Sequence, residues 1–314
     1  MKKIFFYLIL FSFYSHPSFC QSKALVGAFS RMGFGAQGIG MGNAITAVNF
    51  NEIISYYNPA STFTSQRSIS VSFGFLSLDR SLNFLYYTQA IPPRGGISAG
   101  VLNASVRKID GRDNDGNHTK NYSTFENQFF LSFSNQLRDD FSIGVAIKLY
   151  YAKLFEEVTS TTVGFDLGIN FMITPELSLG IMAADLGSKY KWDTSPIYGR
   201  DGKSSLDKFP VIKRIGITYK PSYLSGLVGA TYEHISSELI FFKVGAEYNI
   251  IEEFSVRGGV DRIDISRKTD GIKPAFGFTI KNSFNNLKPS ISYAFMIEPF
   301  APSDIHIVTL SVKF

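Results

Sequence analysis

One cysteine, one tryptophan, four histidines and a charged fraction of only 18% are the scarcities of this 314-residue chain. The scarcity of cysteine and that of histidine each close off a class of function. The lone Cys20 excludes an internal disulfide framework and a thiolate metal cluster. His16, His118, His234 and His306 stand far apart, so no metal-ligand spacing appears and no metal or other cofactor is assigned. There is no GxSxG step, and Ser, His and Asp are too dispersed to nominate a triad, so no catalytic residue is assigned and the chain reads as a non-enzyme. The acidic run Asp110–Asn117 fails as a calcium loop: with Gly116 at the sixth position, Gly111 falls first and Tyr122 twelfth, and neither is a ligand. Net charge is +5, of which Lys2 and Lys3 supply two, and the remaining basic residues are scattered, which argues against nucleic acid as a partner.

Long apolar runs are also missing. Met1–Cys20 carries Lys2 and Lys3 ahead of an apolar stretch from Ile4 to Phe13, too short for a bilayer span and read as a cleaved secretory signal ending at Ser18-Phe19-Cys20. The rival reading, lipidation of Cys20, is disfavoured by Phe19 just before it. After the signal no stretch reaches the ~18 apolar residues of a membrane helix.

What the chain has in abundance is 30 Phe, 16 Tyr and 27 Gly, a mixture that suits strands and turns. The apolar period is two almost everywhere. Phe141, Ile143, Val145, Ile147, Leu149 and Tyr151 share one face while Ser142, Gly144, Ala146, Lys148 and Tyr150 share the other. Residues 162–173 repeat the pattern. About fourteen such segments are predicted, near 68–78, 82–91, 96–107, 122–137, 140–155, 160–174, 176–187, 210–221, 224–235, 238–250, 253–265, 273–284, 286–297 and 304–314. Connections at 137–140, 173–176, 221–223, 251–253 and 283–286 are short, whereas 108–121, 188–209 and 266–272 are long or polar. That alternation predicts an all-β, antiparallel transmembrane barrel in a bacterial outer membrane, with short turns and both chain ends on the periplasmic side. Its expected partners are outer-membrane lipid and the barrel-insertion machinery. The final strand places His306, Val308, Leu310, Val312 and Phe314 on one face, with Val308, Leu310, Val312 and Phe314 read as the signal for barrel assembly.

Inward charges sharpen the register. A turn centred on Glu252 sets Glu247 opposite Arg257 and Lys243 opposite Asp261; one centred on Glu157 sets Lys148 opposite Asp166. They read as a neutralised lumen wall, or alternatively as a charged channel lining. Tyr86, Tyr87, Tyr150, Tyr151, Tyr293 and Phe295 are expected in interfacial girdles, and Phe130 and Phe241 in the lumen.

Residues 21–66 break the strand rhythm and are read as a plug between the signal (1–20) and the barrel (67–314). Gly33, Gly35 and Gly38 form a formal GxGxxG, but without a βαβ unit around it this is no dinucleotide site. Gly33, Gly35, Gly38, Gly40 and Gly42 instead suit close backbone packing. Short helices are expected over 43–50 and 51–57, ending at Asn58-Pro59-Ala60. The run Met41-Gly42-Asn43-Ala44 followed by Tyr57-Asn58-Pro59-Ala60 resembles the opening of the PorV/PorQ family of FadL-type outer-membrane barrels. Asn49-Phe50-Asn51-Glu52 departs from it, standing where relatives tend to carry acidic residues. The resemblance implies a fourteen-stranded barrel with an N-terminal plug. It further implies a non-enzymatic part in type IX protein secretion, with secretion components or cargo C-terminal domains as partners. The superfamily's other function is transport of hydrophobic small molecules, for which a kinked wall strand, at Gly258-Gly259 or Pro274, would speak.

Overall fold

The computed structural model describes residues 25–48, 54–63, 67–236, 239–265 and 271–314. The predicted signal (1–20) and the predicted Asn49–Glu52 departure lie outside them. Sixteen strands follow in order: β1 (Ser68–Phe75), β2 (Arg80–Ile91), β3 (Gly95–Arg112), β4 (His118–Arg138), β5 (Phe141–Phe155), β6 (Val158–Met172), β7 (Leu177–Leu186), β8 (Lys189–Asp193), β9 (Ser204–Lys208), β10 (Ile212–Tyr219), β11 (Gly226–Ser236), β12 (Leu239–Asn249), β13 (Phe254–Asp264), β14 (Lys273–Lys281), β15 (Lys288–Met296) and β16 (Ile305–Lys313). Fourteen close an antiparallel barrel, and β8 and β9 form a separate hairpin. Closure is made by β1 on β16, from Ser68↔Lys313 to Phe75↔His306.

The period-two pattern explains the wall. On β4, Phe129, Leu131 and Phe133 are exposed at 43%, 50% and 46%, while Gln128, Phe130, Ser132 and Ser134 face inward and are buried. The same outward apolar band continues through Ile147 and Leu149 on β5, Ile215 and Ile217 on β10, and Ile291 and Leu310 on β15 and β16. So large an apolar surface around a closed barrel is satisfied by hydrocarbon, and the barrel spans a membrane with strands.

Several local expectations are corrected. The 108–121 segment is mostly strand, because β3 and β4 run on as one long hairpin, turning at 113–117. The 188–209 segment holds the β8–β9 hairpin and a short Ser195–Tyr198 helix. Tyr86 and Tyr150 belong to the lumen: they share the inward parity of Phe84 and Lys148, while Tyr87 and Tyr151 face out. In β5–β6 the turn is Glu156–Glu157, between Phe155 and Val158, and a bulge at Leu154 carries the register further. Lys148 therefore stands opposite Gly164, and Asp166 opposite Ala146. The wall irregularity falls three residues beyond Gly258-Gly259, where Asp261 and Arg262 together oppose Lys243 and Arg262 takes a φ of 57°. Residues 43–48 are turns rather than helix; a helix forms instead over Gly35–Gly40, and another over Ile54–Tyr57.

Candidate functional site: the filled lumen

Residues 25–48 and 54–63 lie inside the barrel, almost all buried. The Gly35–Gly40 helix packs on β13 to β16 and β1, and a 3-10 turn over Pro59–Ser61 packs on β4 to β6. Small residues allow this. The helix carries only one side chain larger than Gln, Ile39, so its backbone approaches the wall closely. The wall reciprocates with inward glycines. A Cβ on Gly245 would lie 2.1 Å from the Met41 carbonyl oxygen, one on Gly229 2.2 Å from that of Ala44, and one on Gly180 2.3 Å from that of Thr46. A Cβ on Gly144 would lie 2.3 Å from the Pro59 carbonyl carbon, one on Gly168 2.1 Å from Asn58 Oδ1 and one on Gly96 2.3 Å from the Thr62 carbonyl oxygen. Gly144↔Gly168, Gly180↔Gly216, Gly229↔Gly245 and Gly245↔Gly259 are direct cross-strand partners. They form a belt without side chains in which the N-terminal segment is seated.

Side-chain hydrogen bonds fix the seat. Asn58 Nδ2 donates to the carbonyls of Thr46 (3.0 Å) and of Ile169 on β6 (3.1 Å), and its Oδ1 accepts from the Ala60 amide (3.0 Å). The Tyr57 hydroxyl accepts from the Phe34 amide (2.9 Å) and donates to Asn43 Oδ1 (2.8 Å). Burial pushes the Tyr57 pKa well up, which keeps that proton in place. Positive φ at Gly33 and Gly42, 87° and 58°, bends the chain on either side of the helix.

Among the described residues, nine inward-facing charges of the wall form three clusters with one another. Lys148 Nζ lies 2.7 Å from Asp166 and 3.0 Å from Asp185. Arg214 and Lys243 share Glu233, at 2.6 Å and 3.1 Å, and Lys243 reaches Asp261 at 3.1 Å. Arg257 meets Glu247 at 2.6 Å. The N-terminal segment joins all three: Ser30 Oγ donates to Asp185 (3.3 Å), Asn43 Nδ2 to Asp261 (3.0 Å) and Gln37 Nε2 to Glu247 (2.8 Å). All three expected pairs thus meet, Lys148 and Asp166 diagonally rather than face to face. Sequence reasoning missed Asp185, Arg214 and Glu233. The Arg214↔Glu233 pairing was readable from the short 220–225 turn. Asp185 was not, because it faces inward only through a bulge at its own φ of 60°.

Aromatic rings fill the remaining lumen. Phe34 meets Tyr56 at 4.4 Å and Phe84 at 5.4 Å between ring centroids, and Phe84 and Tyr86 lie 5.9 Å and 6.1 Å from Phe130. A second arm runs Phe29–Tyr150–Phe209–Tyr190–Trp192, reaching the β8–β9 hairpin. Both arms belong to one buried cluster. Phe241, also inward as expected, sits in a separate cluster with Met182 and Ile212. Among the described residues no group of His, Cys, Asp and Glu could hold a metal.

No family model matches the chain, and no curated protein matches it. Among solved structures it is similar to the toluene transporter TbuX of Ralstonia pickettii, with 12% identity and a TM-score of 0.62 over 90% of this chain and 98% of that one. The toluene transporter TodX of Pseudomonas putida gives 12%, 0.61, 90% and 96%, and a FadL homologue of Pseudomonas aeruginosa 12%, 0.60, 89% and 97%. The fold is the FadL-type barrel. At such identities the likeness is one of architecture. Within this FadL-type barrel, Met41, Gly42, Asn43 and Ala44 and the Tyr57–Ala60 step are all residues of the glycine seat or its hydrogen bonds.

Proposed function

We propose that the protein carries hydrophobic small molecules, monoaromatic hydrocarbons among them, across the outer membrane. The observation that carries this reading is the aromatic column of two arms in one buried cluster, one from Trp192 at the outer hairpin to Phe29 and the other from Phe34 and Tyr56 to Phe130. Such rings offer successive apolar contacts to a ligand that water solvates poorly. The column is tightly packed, so passage requires the N-terminal segment to move off its seat. The neighbouring transporters of toluene support the same substrate class. Radiolabelled toluene uptake by cells expressing the chain tests it: a rate above that of cells with an empty vector is expected, and equal rates would refute it.

A non-enzymatic role in type IX secretion or cargo attachment is the second reading, supported by the PorV/PorQ resemblance of Met41–Ala44 and Tyr57–Ala60. These residues have a sufficient task in seating the segment, which both readings need. Co-purification with secretion components or cargo C-terminal domains would favour the second reading; a lone barrel with bound hydrophobic ligand would favour the first.

A further inference from the structure

We propose that the outer wall of β3 and β4, where their hairpin leaves the barrel, binds the phosphate-bearing headgroup of an outer-leaflet lipid. The outward face changes character within one rung. Leu85, Val101, Phe129 and Leu149 form an apolar rung across β2 to β5, while the next rung outward is Asn83, Asn103, Asn127 and Tyr151. Same-face rungs are two residues apart, about 6.6 Å along a strand. The hydrocarbon boundary therefore lies between them, on the side of the long β3–β4 hairpin, which is the outer side by the rule that periplasmic turns are short.

Just above the Asn rung is an open recess of about 550 Å³, lined mainly by outward-parity residues of both strands, Arg107 among them, together with Lys108, Tyr122 and Thr124. A regular strand would send successive residues to opposite faces. Here a bulge between Val106 and Ile109, with Lys108 at a φ of 57°, brings both cations to one recess. No carboxylate lines it. Among the described residues neither cation lies within ion-pair distance of an acid, and Asp110 nearby is taken by Arg112 (2.7 Å) and His118 (2.5 Å). Lys153 stands opposite Phe125, a lining residue, on the neighbouring β5. The Asn103 Nδ2 to Asn127 Oδ1 bond, 2.6 Å, holds the floor of the recess. A guanidinium, an ammonium and hydroxyl or amide donors above an exposed apolar rung match a phosphate with acyl chains attached. A free ion would not use the apolar half of the surface.

This site lies outside the lumen, so it stands or falls independently of what the barrel transports. The test is native mass spectrometry of the full chain in detergent, titrated with lipid A carrying two phosphates and with the same lipid dephosphorylated. Heat-modifiable gel mobility verifies that each variant is a folded barrel. One phosphorylated lipid per chain is expected. Dephosphorylation, or the pair Arg107→Gln and Lys108→Gln, should weaken binding roughly thirtyfold, taking the usual worth of each surface cation at an anionic leaflet. The charge-conserving pair Arg107→Lys and Lys108→Arg should bind within about threefold of the wild type. Equal affinity for the two lipids overturns the proposal, as does a glutamine pair that binds like the wild type. Displacement by millimolar inorganic phosphate would assign a free-ion site instead, and a dimer lost in the glutamine pair would assign the surface to a second copy; either result overturns it too.

Discussion

Gly259 and Gly258 are neighbours on β13 with opposite duties. A Cβ on Gly259 would lie 2.3 Å from the Met41 carbonyl carbon, whereas the nearest atom to one on Gly258 is Phe276 Cδ1 at 3.9 Å. Gly259→Val should therefore cost about 1–3 kcal/mol of barrel stability and expose the N-terminal segment to protease, as overpacked sites do. Gly258→Val should leave both unchanged, and denaturation midpoints with limited proteolysis will show whether the two differ. Lys148 is a second residue on which much depends, since both Asp166 and Asp185 rely on it. Lys148→Met leaves two buried carboxylates facing each other without a cation and should cost about 3–5 kcal/mol. A urea midpoint equal to that of the wild type would contradict that account.

Strands were legible from the sequence because each residue on the lipid side had to be apolar and each neighbour had to be small, polar or charged. β5 shows this from Phe141 to Leu149. The N-terminal elements were not legible, because what fixes Gly35–Gly40 as a helix is the shape of β13 to β16, remote in sequence. A glycine-rich run carries little helical propensity of its own. The wall glycines themselves left a readable trace, recurring at matching register on β5 and β6, on β7 and β10, and on β11 to β13; the turn centres would have aligned them. Bulges erased other signals: Asp185 and Arg262 took positions that alternation assigns to the opposite face. At the element scale, β16 closes the barrel on β1, and the Phe314 amide extends that closure with a bond to the Arg67 carbonyl (3.0 Å). With Val308, Leu310 and Val312 it presents the outward face read as the insertion signal. Phe314→Asp should lower the amount of barrel recovered from the outer membrane, and normal levels on a membrane-fraction blot would argue against the signal.

The whole molecule is a barrel whose interior is occupied by its own N-terminal segment, held by backbone fit, hydrogen bonds and three ion-pair clusters. Deleting residues 22–60 should raise permeability to small solutes in a liposome-swelling assay; unchanged swelling would mean that the lumen is closed by something else. In the proposed transport the segment has to leave its seat. Thr46 and Thr231 allow it to be tested directly, because their hydroxyls lie 3.1 Å apart across the junction of segment and wall, a spacing that a disulfide can span. The only natural cysteine, Cys20, falls in the predicted signal. The measurement is toluene uptake by cells carrying Thr46→Cys with Thr231→Cys, oxidised and then reduced. Uptake at the empty-vector level when oxidised, restored to the wild-type rate on reduction, is the predicted result. Equal uptake in the two redox states would contradict the account.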